Sequence, residues 1–220
     1  MSALDALAEA YAATSAAVDG LAPRDLLRPT GAESWCVADL LLHLRLDAER
    51  ALVACTTTAD DEPDVDAVTY WTAYQQGKPD DGGAHARFVR VSAAAYASPA
   101  GLVQHWSHVS GAALRALAAR DPDGRVSTQG HVLRVEDFTA TLAVEGAVHH
   151  LDLTLELPQR RHPLPLSLAL TREVVTRAVG PLPARWSDVD AALRATGRAP
   201  LDDADRAELG AAADRLPLFS

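Results

Sequence analysis

The chain has 220 residues, 48% of them hydrophobic but only 5% aromatic, and a formal net charge of −10. So acidic a chain lacks the basic face that nucleic acid or an anionic membrane surface would require, and no apolar run reaches the length of a membrane span. Abundant alanine with few aromatics favours helices, and the length allows one large domain or a domain with a small lobe.

Residues 1–20 carry acids and no basic run, so no secretory leader is expected. A first amphipathic helix is predicted over 4–21. Leu4, Leu7, Tyr11, Thr14 and Val18 form its stripe, and Gly20 and Pro23 end it. Ser34 is the expected cap of a second helix, WCVADLLLHLRLDAERALVAC. Val37, Leu41, Leu44 and Ala48 face its core side, while Asp39, His43 and Asp47 make a polar stripe at spacing four. Alone, His43 reads as a core or helix-flank histidine. Cys36 and Cys55 fall near the two ends of this helix, about 28 Å apart at 1.5 Å per residue. They cannot bond to each other, and a reducing cytoplasm is the expected location.

An acidic break follows over 56–63, then a helical stretch over 65–74 whose Tyr70, Trp71 and Tyr74 suit packing. GKPDDGG, residues 77–83, is a loop. Residues 84–120 read as two helices divided at Ser98-Pro99, with Pro99 in a first turn after a serine cap. His105 and His108 are three apart with no acid joining them. DPDG at 121–124 ends this region, and 126–135 is extended or loop.

Residues 136–153, EDFTATLAVEGAVHHLDL, carry the chemistry. Val144, Val148 and Leu151 recur at helical spacing. Glu145 and His149 lie one turn apart on one face, and Asp152 shares it, as do Phe138 and Leu142 upstream. Imidazole nitrogen and carboxylate oxygen suit a divalent metal such as Zn²⁺, Ni²⁺ or Fe²⁺. The same spacing also suits an exposed helix pair. One helix supplies only part of a coordination shell, so a further ligand must come from elsewhere.

The connector PQRRHPLP, 158–165, is the boundary between an expected bundle over 1–157 and a small helical lobe over 158–220. The lobe reads as helices over 166–179, 187–196 (capped by Ser187, stopped by Gly197) and 202–216. No phosphate-binding glycine loop, GxSxG or HExxH is present.

Two stretches, SWCVADLLLHL (34–44) and FTATLAVEGAVHHLDL (138–153), together with the tail TGRAPLDDADRAELGAAADRLPLFS, resemble the DinB-like superfamily. Within it they are most similar to the branch typified by mycothiol-dependent maleylpyruvate isomerase, common in actinobacteria. The resemblance implies an all-α fold, an up-down-down-up four-helix bundle with a small helical C-terminal lobe. It implies a metal triad of His43, Glu145 and His149, with Asp152 orienting a ligand imidazole. It implies a divalent metal, Zn²⁺ or Ni²⁺, and a low-molecular-weight thiol, mycothiol, as cofactors. A thiol on an open metal position is deprotonated. In the isomerase the thiolate adds to a conjugated double bond, allows rotation and leaves.

The expected activity is therefore isomerisation or thiol S-transfer on a small electrophile, by a monomer or homodimer. Arg185, Arg194 and Arg198 are candidates for holding a substrate carboxylate. Two alternatives stay open: a non-catalytic bundle with a structural or vestigial metal, and an interaction protein using the aromatic region.

Overall fold

The computed structural model describes residues 2–32, 34–57, 59–77 and 83–218, without the side chains of 74–77. Most of the predicted loop over 77–83, and the Tyr74 side chain, lie outside what is described.

Helix α1 spans Ala3–Val18, α2 Val37–Thr56, α3 Thr69–Gly77, α4 Ala84–Ala94 and α5 Pro99–Ala118. Strands β1 (Arg125–Thr128) and β2 (His131–Arg134) form an antiparallel hairpin. Helix α6 (Val135–Leu153) follows, then α7 (Pro165–Val179), α8 (Asp188–Ala195) and α9 (Asp203–Leu209). The fold is all-α apart from the hairpin. Helix α1 packs on α6 and α5, and α2 packs on α5 and α6, which closes a ring of four helices. The ring encloses one apolar core with Trp106, Phe138, Leu7, Leu41 and Leu44 fully buried.

Local chemistry explains the boundaries. Ser2 caps α1 by accepting from the Asp5 N–H at 3.1 Å. Helix α2 does not start from Ser34, as the sequence predicts. Ser34 sits at φ +68° in the preceding turn. The chain then stays extended as Cys36 bridges to Pro29, so Val37 is the first helical residue. Cys36 occupies the cap, and the Asp39 carboxylate three residues on accepts from its N–H at 3.2 Å. Helix α3 starts later than predicted because the Asp66 carboxylate accepts from the N–H groups of Val68 and Thr69, fixing a turn there. The stretch predicted as extended or loop is the hairpin. Gln129 (φ +50°) and Gly130 (φ +83°) make its two-residue turn, and the paired Val126 and Leu133 are both fully buried.

Helix α6 is the hub. Of its residues only Glu136, Asp137 and Glu145 escape full burial, because α1, α2, α7 and the hairpin all contact it. Its interior hydroxyls are satisfied by its own carbonyls: Thr139 donates to Val135 and Thr141 to Phe138, each at 2.7 Å. Gly146 lets α1 approach closely, since a Cβ there would stand 3.0 Å from the Ala10 Cβ.

The C-terminal lobe is helical. Asp205, fully buried, accepts from the Trp186 indole at 2.7 Å and pairs with Arg185 and Arg194. The predicted last helix is shorter than expected: α9 stops at Gly210 (φ +55°) and a 3-10 turn runs on to Arg215. Helix α7 docks on α1 and α6. It has no side-chain cap of its own. Instead Glu9, in α1, accepts from the N–H groups of Leu166 (3.0 Å) and Ser167 (2.9 Å) and from the Ser167 hydroxyl (2.9 Å). A carboxylate at a helix N-terminus satisfies orphan donors and complements the dipole. Glu9→Ala is expected to cost about 1–2 kcal/mol, as loss of a helix cap does, and to lower the melting temperature by several degrees. Glu9→Gln, which keeps an acceptor, is expected to recover part of that in the same thermal melts.

Candidate metal site

His43 lies in the second turn of α2; Glu145 and His149 lie one turn apart on α6. The contact of α2 with α6 brings one donor atom from each of the three to within 4.8 Å of the others. His149 Nε2 is 3.1 Å from Glu145 Oε2, and the His43 and His149 rings stand perpendicular at 5.0 Å. Exposure is graded. The side chain of Asp152 is 2% exposed, His149 9%, His43 16% and Glu145 26%. The cluster is closed on the His149 side and open at Glu145.

The surroundings are polar in a specific way. Asp152 Oδ2 is 3.0 Å from His149 Nδ1, which leaves Nε2 for the cluster. Asp47, one turn beyond His43, is 3.5 Å from His43 Nε2 and is paired with Arg50 at 3.2 Å. Trp35 lies tilted against His43 with ring centroids 4.9 Å apart, and His85 from α4 approaches both rings, at 5.7 Å from His43 and 5.9 Å from Trp35.

Electrostatics differ between the two imidazoles. Burial pushes His43 below its ordinary value, against the pull of Asp47, so it offers a neutral nitrogen at pH 7. Burial also works against charge on His149, but the hydrogen bonds and charges of Asp152 and Glu145 outweigh it and raise its pKa to about 9. Burial likewise disfavours the Glu145 carboxylate, yet His149, His43 and Arg50 bring its pKa down to about 2. Asp152 is also held below the usual carboxylate range, burial being overcome by His149 and Arg198.

Two imidazoles and a carboxylate on facing helices are a donor set that fits a single divalent ion. A second observation supports the fit. Asp47 Oδ2 is buried beside His43 with no hydrogen-bond partner among the described residues. Its other oxygen is held by Arg50 at 3.2 Å, so Oδ2 is the acceptor left facing the cluster.

The other histidines do not join the cluster. His150, adjacent to His149, is fully buried and turned away. Its Nε2 accepts from the His162 backbone N–H at 3.2 Å, and burial brings its pKa down to about 4. His150→Ala is therefore expected to retain metal while losing about 2–4 kcal/mol of stability through a cavity and an unpaired N–H, read by chemical denaturation beside metal analysis. His105 bonds to Tyr96 at 2.6 Å and approaches Arg45 at 3.4 Å, while His108 is exposed, so that pair does not converge.

Of the three arginines suggested for a substrate carboxylate, each holds one of the chain's own. Arg185 and Arg194 bind Asp205, and Arg198 binds Asp152. The Asp39–His43–Asp47 spacing carried the signal for Asp47. Nothing local pointed to His85, or to Asp152 as the carboxylate that Arg198 holds.

A four-helix all-α bundle with this interior cluster and a helical C-terminal lobe is a DinB-like bundle. The chain belongs to the family of the mycothiol maleylpyruvate isomerase N-terminal domain, which matches residues 7–154. That span holds His43, Glu145, His149 and Asp152 and ends before the lobe. Comparison with curated proteins and with solved structures finds no match.

Proposed function

We propose that the chain is a metal-dependent enzyme that uses a low-molecular-weight thiol, mycothiol, to isomerise or S-transfer a small electrophilic substrate in the cytoplasm. The observation that supports this most directly is the convergence of His43, Glu145 and His149 at one end-open cluster. Membership of a family named for mycothiol and maleylpyruvate supports the thiol. No helix among the described residues is long and apolar enough to cross a membrane.

His43, Glu145 and His149 would hold the ion, Zn²⁺ or Ni²⁺ from the donor set. Bound there, the ion would supply Lewis acidity that favours the thiolate form of a thiol beside it. The protein's own share is orientation and exclusion. Asp152 fixes the His149 tautomer by accepting from Nδ1–H. Trp35 and His85 wall the His43 side, which limits water there and strengthens charge interactions. The exposed edge of Glu145 leaves the entry path for thiol and substrate.

One observation favours a second reading, a bundle with a structural metal: the lobe's three candidate arginines are all engaged with internal carboxylates. Calorimetry of mycothiol against metal-loaded and metal-free protein separates the two. The enzyme reading expects binding only to the loaded form, with release of a proton as the thiol ionises. Equal binding to both forms, or to neither, would leave the structural reading.

A further inference from the structure

We infer that Arg198 is a positioning residue for His149, acting through Asp152, so that the C-terminal lobe sets the affinity of a metal site whose ligands all lie in the bundle. This rests on the triad being a metal site.

The argument runs along a chain of fixed contacts. An imidazole ring can turn over about its last torsion, which exchanges the nitrogen facing a ligand. His149 is held in one orientation by the 3.0 Å contact between Nδ1 and Asp152 Oδ2. That contact is only as firm as the carboxylate itself. Arg198 grips the carboxylate side-on: Nε reaches Oδ1 at 2.9 Å and Oδ2 at 3.0 Å, and Nη2 reaches Oδ2 at 2.9 Å. The guanidinium is fixed in turn, since Nη1 donates to the Thr196 carbonyl at 2.9 Å.

Its backbone is fixed as well. Gly197 ends α8 in the left-handed conformation, φ +75°. The N–H groups of Arg198 and Ala199 then both donate to the Leu193 carbonyl, at 2.8 and 3.0 Å. On the opposite side, the Gly31 N–H donates to the Asp152 carbonyl at 3.0 Å. A Cβ on Gly31 would stand 2.5 Å from Asp152 Oδ1 and 3.2 Å from its Cα. Asp152 is thus clamped between the loop before α2 and the turn after α8. Arg198 lies outside the span that matches the family, 7–154, so nothing in that match assigns it this role.

The test uses the full-length protein and Zn²⁺ in competition with a chelator. Arg198→Met is expected to weaken Zn²⁺ binding 10–100-fold, the range for partners that orient a metal ligand. Arg198→Lys, which keeps the charge but not the planar fork, should fall between. In an Asp152→Asn background, Arg198→Met should weaken binding no further, because both changes remove the same restraint. Arg194→Met loosens the lobe through Asp205 without touching Asp152, and should leave Zn²⁺ affinity unchanged.

Should Arg198→Met fail to fold, Gly31→Ala displaces the same carboxylate from the bundle side and is expected to weaken Zn²⁺ binding too. Wild-type affinity in Arg198→Met, or in Gly31→Ala, would overturn the role. So would an equal loss in Arg194→Met, or an undiminished loss in the Asp152→Asn background. Wild-type protein that binds neither Zn²⁺ nor Ni²⁺ would instead overturn the metal reading itself.

Discussion

His149→Ala is expected to reduce the affinity of the purified protein for Zn²⁺ or Ni²⁺ by at least about a hundredfold, more than loss of an orienting partner costs. The change removes one of three donors. It also leaves Glu145 and Asp152 without the imidazole that sits 3.1 Å from one and 3.0 Å from the other. Asp152 keeps Arg198, so the protein should still fold. Elemental analysis after gel filtration, beside circular dichroism, measures both. The neighbouring His150→Ala is the internal control, because its ring lies outside the cluster with Nε2 bonded to the His162 backbone N–H. Equal metal loss in the two variants would place the site on another face of α6.

A comparably large effect is expected from pH. Metal-free His149 has its pKa raised from 6.5 to about 9 by its two carboxylates acting against burial, so an incoming ion must displace a proton at any pH below that. Apparent Zn²⁺ affinity should rise about tenfold per pH unit through the neutral range, near a hundredfold from pH 6.5 to 8.5. A flat profile there would mean that His149 is already neutral. The metal-free fold should show the opposite sign. A raised imidazole pKa stabilises the folded state fully below 6.5, and that contribution disappears as pH climbs through about 9. Glu145, lowered from 4.5 to about 2, contributes above 4.5 and ceases to as pH falls through about 2. From these two groups, metal-free protein should resist urea best between pH 4.5 and 6.5, and metal loading should shift the optimum upward.

What the sequence disclosed follows from range. Spacing of three and four decides which residues share a helix face, so the Glu145–His149–Asp152 stripe was legible. The resemblance added His43, and the contact of α2 with α6 does bring it to the pair. Capping was legible where the rule met no competing restraint, at Ser98 and Ser187. It failed at Ser34, where the bridge between Pro29 and Cys36 holds the chain extended for two more residues. The hairpin was missed because its strands are four residues each and its turn is Gln-Gly, a weaker signal than Asn-Gly. Contacts such as Arg198 with Asp152 and Glu9 with Leu166, 46 and 157 residues apart, leave no periodic trace.

The pairing of α1 with α6 rather than with its sequence neighbour has a consequence for synthesis. On the ribosome the N-terminal end emerges first, yet the surface that covers Leu7 and Tyr11 includes α6, more than a hundred residues later. Meanwhile α2 and α5 can associate, since both have already left the exit tunnel. Until α5 emerges, nascent α1 is an unpartnered amphipathic segment, the kind of exposed apolar surface that chaperones bind, and its α6-facing side waits longer still. When α6 arrives it delivers Glu145 and His149 and completes the cover over α1. The three candidate ligands therefore come together only once α6 has emerged, and the Arg198 contact to Asp152 later still; a chain interrupted before α6 contains His43 but neither of its companions.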